Sequence, residues 1–193
     1  MGEVKREAAS GPGRGGDDDA LPADGALGDG LEASDAPSVD PGRFREVLGH
    51  FVTGVTIVTA MEEDGPVGFT CQAFTSLSLE PPLVALAPGK SSTSWPRIAA
   101  AGAFCVNILA EDQEALGRDF AVSGGDKFRG VGWRPGGNGS PVIDGVLAWV
   151  ECTFVRAHDA GDHELVVGLV QDMGVRAGRP LVYYRGGFGR FEP

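Results

Sequence analysis

Val55-Thr56-Ile57-Val58-Thr59 is β-branched at every position. Such side chains are stiff about χ1 and pack well on a pleated surface, so the run reads as a strand. Upstream, Phe44, Val47, Leu48 and Phe51 fall at i, i+3, i+4 and i+7, which predicts one apolar stripe on a short helix. Gly49 weakens that helix and Gly54 ends it. Downstream, Asp64-Gly65-Pro66 predicts a turn, and Val67 to Ser78 reads as one or two strands rich in Thr and Ser. After Pro81-Pro82, Leu83-Val84-Ala85-Leu86-Ala87 is a strand apolar on both faces.

A second helix follows, with Ser91 or Ser92 as its N-cap, Pro96 in its first turn and Gly102 closing it. Phe104 to Leu109 reads as a strand and Asp112 to Phe120 as a short helix. Residues 122–145 are Gly-rich and carry Phe128, Trp133 and Pro141, which predicts a long loop with aromatic anchors. Val146 to Arg156, Leu165 to Val170 and Leu181 to Tyr184 return to strand, the first two joined by a turn at Gly161-Asp162. The strands do not alternate regularly with helices, which disfavours a doubly wound parallel sheet. A mainly β fold is expected: an antiparallel barrel with short helices packed outside.

Composition bounds the rest. The chain has 193 residues, 42% of them hydrophobic, enough for one domain and a sizeable core. Residues 1–40 carry ten acidic and three basic residues and no aromatic one. Such a stretch cannot offset its ordering entropy by burial, so a disordered acidic extension is expected there, with a compact domain over 41–193. A formal charge of −11 with no basic block argues against nucleic acid. No apolar run approaches the ~18 residues of a membrane span, and the opening stretch lacks the apolar segment of a secretory leader. Three widely spaced cysteines, Cys71, Cys105 and Cys152, suit neither a disulfide framework nor a structural zinc site, so a reducing, cytoplasmic setting and no metal are expected.

The acid–base inventory is thin. His50, His158 and His163 are the three histidines, and neither HExxH nor GxSxG occurs, so a hydrolase is disfavoured. Three polar clusters say more. Thr70-Cys71-Gln72-Ala73-Phe74-Thr75-Ser76-Leu77-Ser78 presents donors and acceptors on an extended segment, as a flat heterocycle requires; an exposed barrel strand would look the same. Lys90-Ser91-Ser92-Thr93, between a strand end and a helix start, combines a cation with hydroxyls and free N–H groups, as a phosphate cradle or as a plain helix cap. Asp162 and His163 sit at a tight turn, which places His163 at a barrel rim, as a ligand contact or a surface residue.

Taken in order, these clusters resemble the flavin reductase-like family, the NAD(P)H:flavin oxidoreductase components of two-component flavin-dependent monooxygenases. The resemblance runs from about Phe44 to Glu192 through Phe51-Val52-Thr53-Gly54-Val55-Thr56-Ile57-Val58-Thr59, Gly68-Phe69-Thr70, Pro81-Pro82-Leu83-Val84, Phe104-Cys105-Val106-Asn107-Ile108-Leu109, Gly161-Asp162-His163, Gly168 and Pro180-Leu181-Val182-Tyr183-Tyr184. It implies a split β-barrel of the Greek-key, FMN-binding type, and a homodimer with flavin sites near the subunit interface. It assigns Thr70, Cys71, Gln72 and Ala73 to the isoalloxazine, together with Ser76 and Ser78 of the same run. Here Cys71, Gln72 and Ala73 stand where Ala, Asn and Ser are common in relatives.

The same resemblance assigns Ala87, Pro88, Gly89, Lys90, Ser91, Ser92, Thr93 and Ser94 to the ribityl and phosphate part, with Ala121 and Lys127 approaching the cofactor. Gly161, Asp162 and His163 match the nicotinamide signature, His163 as the contact, and Phe188 stacks on or shields that site. The implied reaction is hydride transfer from nicotinamide C4 to flavin N5, with a separate monooxygenase receiving reduced flavin. FAD is expected over FMN. NADH is expected over NADPH, because Arg156, Arg176 and Arg179 are too scattered for a 2′-phosphate site. Two other readings are a non-catalytic flavin- or small-ligand-binding barrel and a split-barrel flavin oxidase, for which no substrate-phosphate cluster is seen.

Overall fold

The computed structural model describes residues 39–192. The expectation for residues 1–40 therefore lies outside the described residues, except at Val39 and Asp40. Asp40 already belongs to the folded part: its carboxylate caps the first helix, accepting the Arg43 N–H at 2.8 Å. That helix, α1 (Pro41–Leu48), starts with Pro at N1 and stops at Gly49, one turn short of the expected end. Its apolar stripe is not buried: Phe44, Val47 and Leu48 are all more than half exposed, and Phe51 is 75% exposed.

The rest is mainly β. The short strands β1 (Thr53–Gly54), β11 (Leu181–Tyr184) and β12 (Gly187–Arg190) form one sheet in the order β1-β11-β12. The main sheet has seven strands: β2 (Thr56–Glu62), β3 (Gly65–Cys71), β4 (Phe74–Leu79), β5 (Pro82–Leu86), β6 (Ala103–Ile108), β9 (Ala148–Ala160) and β10 (His163–Val175). Their order is β3-β2-β6-β9-β10-β5-β4, antiparallel at every pair. The two edge strands, β3 and β4, are consecutive in sequence and joined by only Gln72 and Ala73. Two residues cannot cross a flat seven-stranded sheet, so the sheet rolls until its edges meet at this corner. No ladder pairs β3 with β4, and the sheet stays open in its hydrogen bonding.

β2 runs through the middle of the molecule, with Thr56 to Ala60 all buried. One core cluster forms around Val58, Phe69, Leu86, Trp95, Phe104 and Val166, and a second around Ile57, Leu109, Phe120, Ile143 and Leu181. Helix α2 (Trp95–Ala101) ends on Gly102 in the left-handed conformation, as expected. Helix α3 (Glu114–Ala121) lays Phe120 against β3, where a Cβ on Gly68 would come within 3.0 Å of the Phe120 ring.

Several boundaries differ from expectation. The turn after β2 is Glu63-Asp64, with Gly65 and Pro66 already in β3. Residues 122–145 are not wholly irregular: β7 (Trp133–Pro135) and β8 (Pro141–Ile143) pair within them. Proline and shortness mask that hairpin in the sequence. It is pinned from below by Asn107, which takes the Ile143 N–H at 2.8 Å and donates to the Pro141 carbonyl. The aromatic anchors are as expected, Phe120, Phe128 and Trp133 packing edge to face in series. The β9–β10 hairpin extends well beyond both expected strands, but its turn is the expected one: His163 pairs with Ala160 across Gly161-Asp162.

Candidate active site

The open corner of the sheet is also the mouth of a cleft of about 690 Å³, within the range of small-molecule sites. One side of it is the β3–β4 corner itself. No hydrogen bond among the described residues takes up the amide N–H of Gln72 or of Ala73, because β3 and β4 do not pair. The Gln72 side chain is exposed and free to turn toward a ligand. Thr70 behaves otherwise: its hydroxyl donates to the Gly117 carbonyl at 2.7 Å and is engaged with α3. Cys71 is buried, its thiol donating to the Ala73 carbonyl at 3.5 Å, and burial pushes that thiol up to about 11. It is a packing residue, not a nucleophile.

One wall is the loop from Ala87 to Ser94, of which all residues but Lys90 line the cleft. The hydroxyl of Ser92 accepts the Trp95 N–H at 3.1 Å, so Ser92 caps α2 from two residues before its formal N-cap, Ser94. That leaves the Ser92 O–H proton for a ligand. The helix begins later than the sequence suggests and has only seven residues, so what this loop offers an anion is its hydroxyls rather than a helix dipole.

Lys90 is turned away. Its ammonium pairs with Asp159 at 2.5 Å on the outside of the β9–β10 hairpin. That pairing, together with the Gly161 N–H, holds the Asp159 carboxyl below the usual range. The cation in the cleft is Lys127 instead, donating to the Phe120 carbonyl at 3.0 Å and the Gly68 carbonyl at 3.3 Å. Burial lowers its pKa, and no Asp or Glu is among the lining residues.

Beside this loop, on the same wall, lies His163. Its Nδ1 lies 2.6 Å from Asp162 Oδ1; the carboxylate can only accept, so the ring donates from Nδ1 and leaves Nε2 over Gly89 and the cleft. The bond to His163 holds the Asp162 carboxyl below its ordinary range. His163 and the loop are joined by backbone: Lys90 N–H to the Asp162 carbonyl, Glu164 N–H to the Pro88 carbonyl, and a β-bridge between Gly89 and His163.

The cleft thus brings together Thr70, Cys71, Gln72, Ala73, Ala87 to Gly89, Ser91 to Ser94, Ala121, Lys127 and His163. It does not bring Ser76 or Ser78, which lie farther along the exposed edge strand β4. Gly161 and Asp162 shape and hold the turn without lining the cleft. Phe188 packs into the second core cluster, against Tyr183 and under the Arg118 guanidinium. Sequence reasoning missed the contributions of Leu48, Phe51, Thr53, Phe74, Phe120 and Leu165. The apolar ones read as core from their spacing, and only the tertiary structure gathers them around one cleft.

A flat heterocycle with a polar edge and an anionic tail fits this donor set. Free N–H groups line the corner, aromatic side chains flank it, and the hydroxyls and Lys127 are set against negative charge. Thr53 adds to the fit: among the described residues its hydroxyl is the only buried side-chain polar group without a partner, and it faces this cleft.

Fold and cleft define a mainly antiparallel β protein whose acid-free cleft, at a sheet corner, fits a planar, anionic ligand. Residues 48–192 match the flavin reductase like domain, and the chain belongs to that family of oxidoreductases. It is 48% identical over 158 residues to the reductase subunit HsaB of a flavin-dependent monooxygenase from Mycobacterium tuberculosis, covering 80% of this chain and 84% of HsaB. Among solved structures, nitrilotriacetate monooxygenase component B from Mycobacterium thermoresistibile is 50% identical, with a TM-score of 0.77 over 79% of this chain and 87% of that one. NADH:FAD oxidoreductase SgcE6 of Streptomyces globisporus C-1027, in complex with NAD and FAD fragments, is 38% identical, with a TM-score of 0.76 over 82% and 98%.

Proposed function

We propose that this chain is an NADH-dependent flavin reductase that transfers hydride from NADH to FAD and supplies the reduced flavin to a separate flavin-dependent monooxygenase. When bound, the two cofactors supply the redox chemistry, and the protein supplies binding, orientation and electrostatics. The Gln72 and Ala73 amides, with the Gln72 side chain, would hold the polar edge of the isoalloxazine. Ser91, Ser92 and Thr93 would hold phosphate oxygens. Lys127 would offset the ligand's negative charge, and His163 Nε2 would meet the nicotinamide. Catalysis by alignment asks for no strong acid or base, which agrees with the residues lining the cleft.

The observation that carries this reading is the wall formed by His163 and the Ala87–Ser94 loop. The nicotinamide contact and the phosphate loop of this reading are hydrogen-bonded to each other along one side of an acid-free cleft. The choice of FAD and NADH is supported by the name of the SgcE6 relative, and that of NADH also by the absence of arginine from the lining. The rolled open sheet is read as a split barrel whose split is the β3–β4 gap. The exposed stripe of α1 is read as the face of a homodimer. Three buried free thiols suit the cytoplasm.

The test is to mix purified protein with NADH and excess FAD and follow the nicotinamide absorbance, then repeat with FMN and with NADPH. Flavin-dependent NADH loss is expected. A yellow but inert protein would instead favour a flavin-binding module.

A further inference from the structure

The two halves of the cleft wall are also joined by side chains, and one such bond lies beside the residues that meet each ligand in the reading above. Trp95 directly follows Ser94 of the loop, and Glu164 directly follows His163. The Trp95 indole N–H donates to Glu164 Oε2 at 2.6 Å.

The indole is an immobile partner. Trp95 is 4% exposed and packs between Phe69 and Phe154, with ring centroids 6.5 and 6.1 Å away. The hairpin tip is the opposite. Asp159, Gly161 and Asp162 are exposed, Leu165 is 43% exposed, and the first fully buried residue of β10 is Val166. Lys90–Asp159 also spans tip and loop, but both its side chains are well exposed, so solvent competes for it. Glu164 is therefore the side-chain anchor nearest His163 that reaches the core.

We propose that Glu164 is a positioning residue. Through Trp95 it holds the turn bearing His163 at a fixed place over the Pro88–Ser94 loop, and so sets the alignment of nicotinamide against flavin. The proposal rests on His163 meeting the nicotinamide. It differs from a packing role in one respect: the loop and the core already hold the flavin half, so loss of the bond should disturb NADH use and spare flavin binding.

The full chain is tested as Glu164→Ala, Glu164→Gln, Trp95→Phe and the double variant Glu164→Ala/Trp95→Phe, beside His163→Ala. Flavin Kd and the thermal midpoint should stay near wild type in Glu164→Ala, while kcat/KM for NADH falls about tenfold, since small misplacements of reacting groups cost rate steeply. Glu164→Gln keeps an acceptor oxygen and should recover most of the loss. The double variant should be no worse than either single one, the signature of a shared interaction. In flavin-free protein, the His163 ring resonances should broaden in Glu164→Ala and stay sharp in Glu164→Gln.

If Glu164→Ala leaves NADH kinetics and those resonances at wild type while His163→Ala impairs NADH use, the proposal is wrong and the reading of His163 stands. If Glu164→Ala weakens flavin binding and lowers the thermal midpoint as much as it impairs NADH use, the bond is structural and the proposal is again wrong. If His163→Ala itself leaves NADH use unchanged, the reading of His163 falls and takes this proposal with it.

Discussion

His163 Nδ1 and Asp162 Oδ1 lie 2.6 Å apart, and this one contact decides which face of the imidazole the cleft receives. With Nδ1 committed to the carboxylate, Nε2 is the atom over Gly89. His163→Ala removes that atom but none of the flavin loop. It should lower kcat/KM for NADH by about tenfold or more while changing flavin Kd less than about threefold. Steady-state kinetics and flavin fluorescence titration measure the two separately. Loss of flavin binding in this variant would show that the turn serves the other ligand.

The two lysines should separate cleanly. Lys127 faces the cleft with no acidic neighbour in the lining, and Lys90 is paired outside with Asp159. A charge-assisted hydrogen bond is worth about 1.5–3 kcal/mol, so Lys127→Met should raise flavin Kd by about tenfold or more. Lys90→Ala removes a surface pair and should leave Kd within about threefold. The reverse ranking in a fluorescence titration would return the anion to the Lys90 side.

Stability should decline in alkali. Burial pushes the Cys71 thiol up to about 11 and, with the nearby Glu151 carboxylate, the Cys152 thiol up to about 12. In the unfolded chain such thiols ionise near ~8.5. A folded-state pKa above the unfolded one means the contribution is complete below the unfolded value and is lost as pH rises toward the folded one. The urea midpoint should therefore fall between about pH 8.5 and 11, and Cys71→Ala should flatten that slope. A midpoint indifferent to pH across this window would contradict the burial of both thiols.

Gly168 is required by its neighbour. A Cβ there would come within 2.6 Å of the Phe104 ring and 3.2 Å of Cys152 Cβ, at a position where the β9–β10 register shifts. Phe104 is fully buried and cannot retreat. Gly168→Ala should cost about 1–3 kcal/mol as overpacking, and Phe104→Leu in the same chain should recover part of it. Urea denaturation checks both, and independent additive losses would mean the two residues do not compete for the space.

Local sequence determined much of this molecule. The β-branched run at Val55–Thr59, the αL glycine at Gly102 and the tight turn at Gly161-Asp162 each act over a few neighbouring residues, so their strands, caps and turns were readable in order. Family resemblance then pointed to the corner at Gln72-Ala73, to the Ser91–Ser94 hydroxyls and to His163. Tertiary structure alone decided how these face one another. Lys90 and Asp159 are 69 residues apart, as are Trp95 and Glu164; no local pattern announces that the first pair turns a cation away or that the second ties a rim to the core. The same holds for Phe120 and Phe51, apolar positions with core-like spacing, far apart in sequence, that the tertiary structure brings to one cleft. Periodicity reports which side of an element is apolar, and long-range strand pairing decides what that side meets.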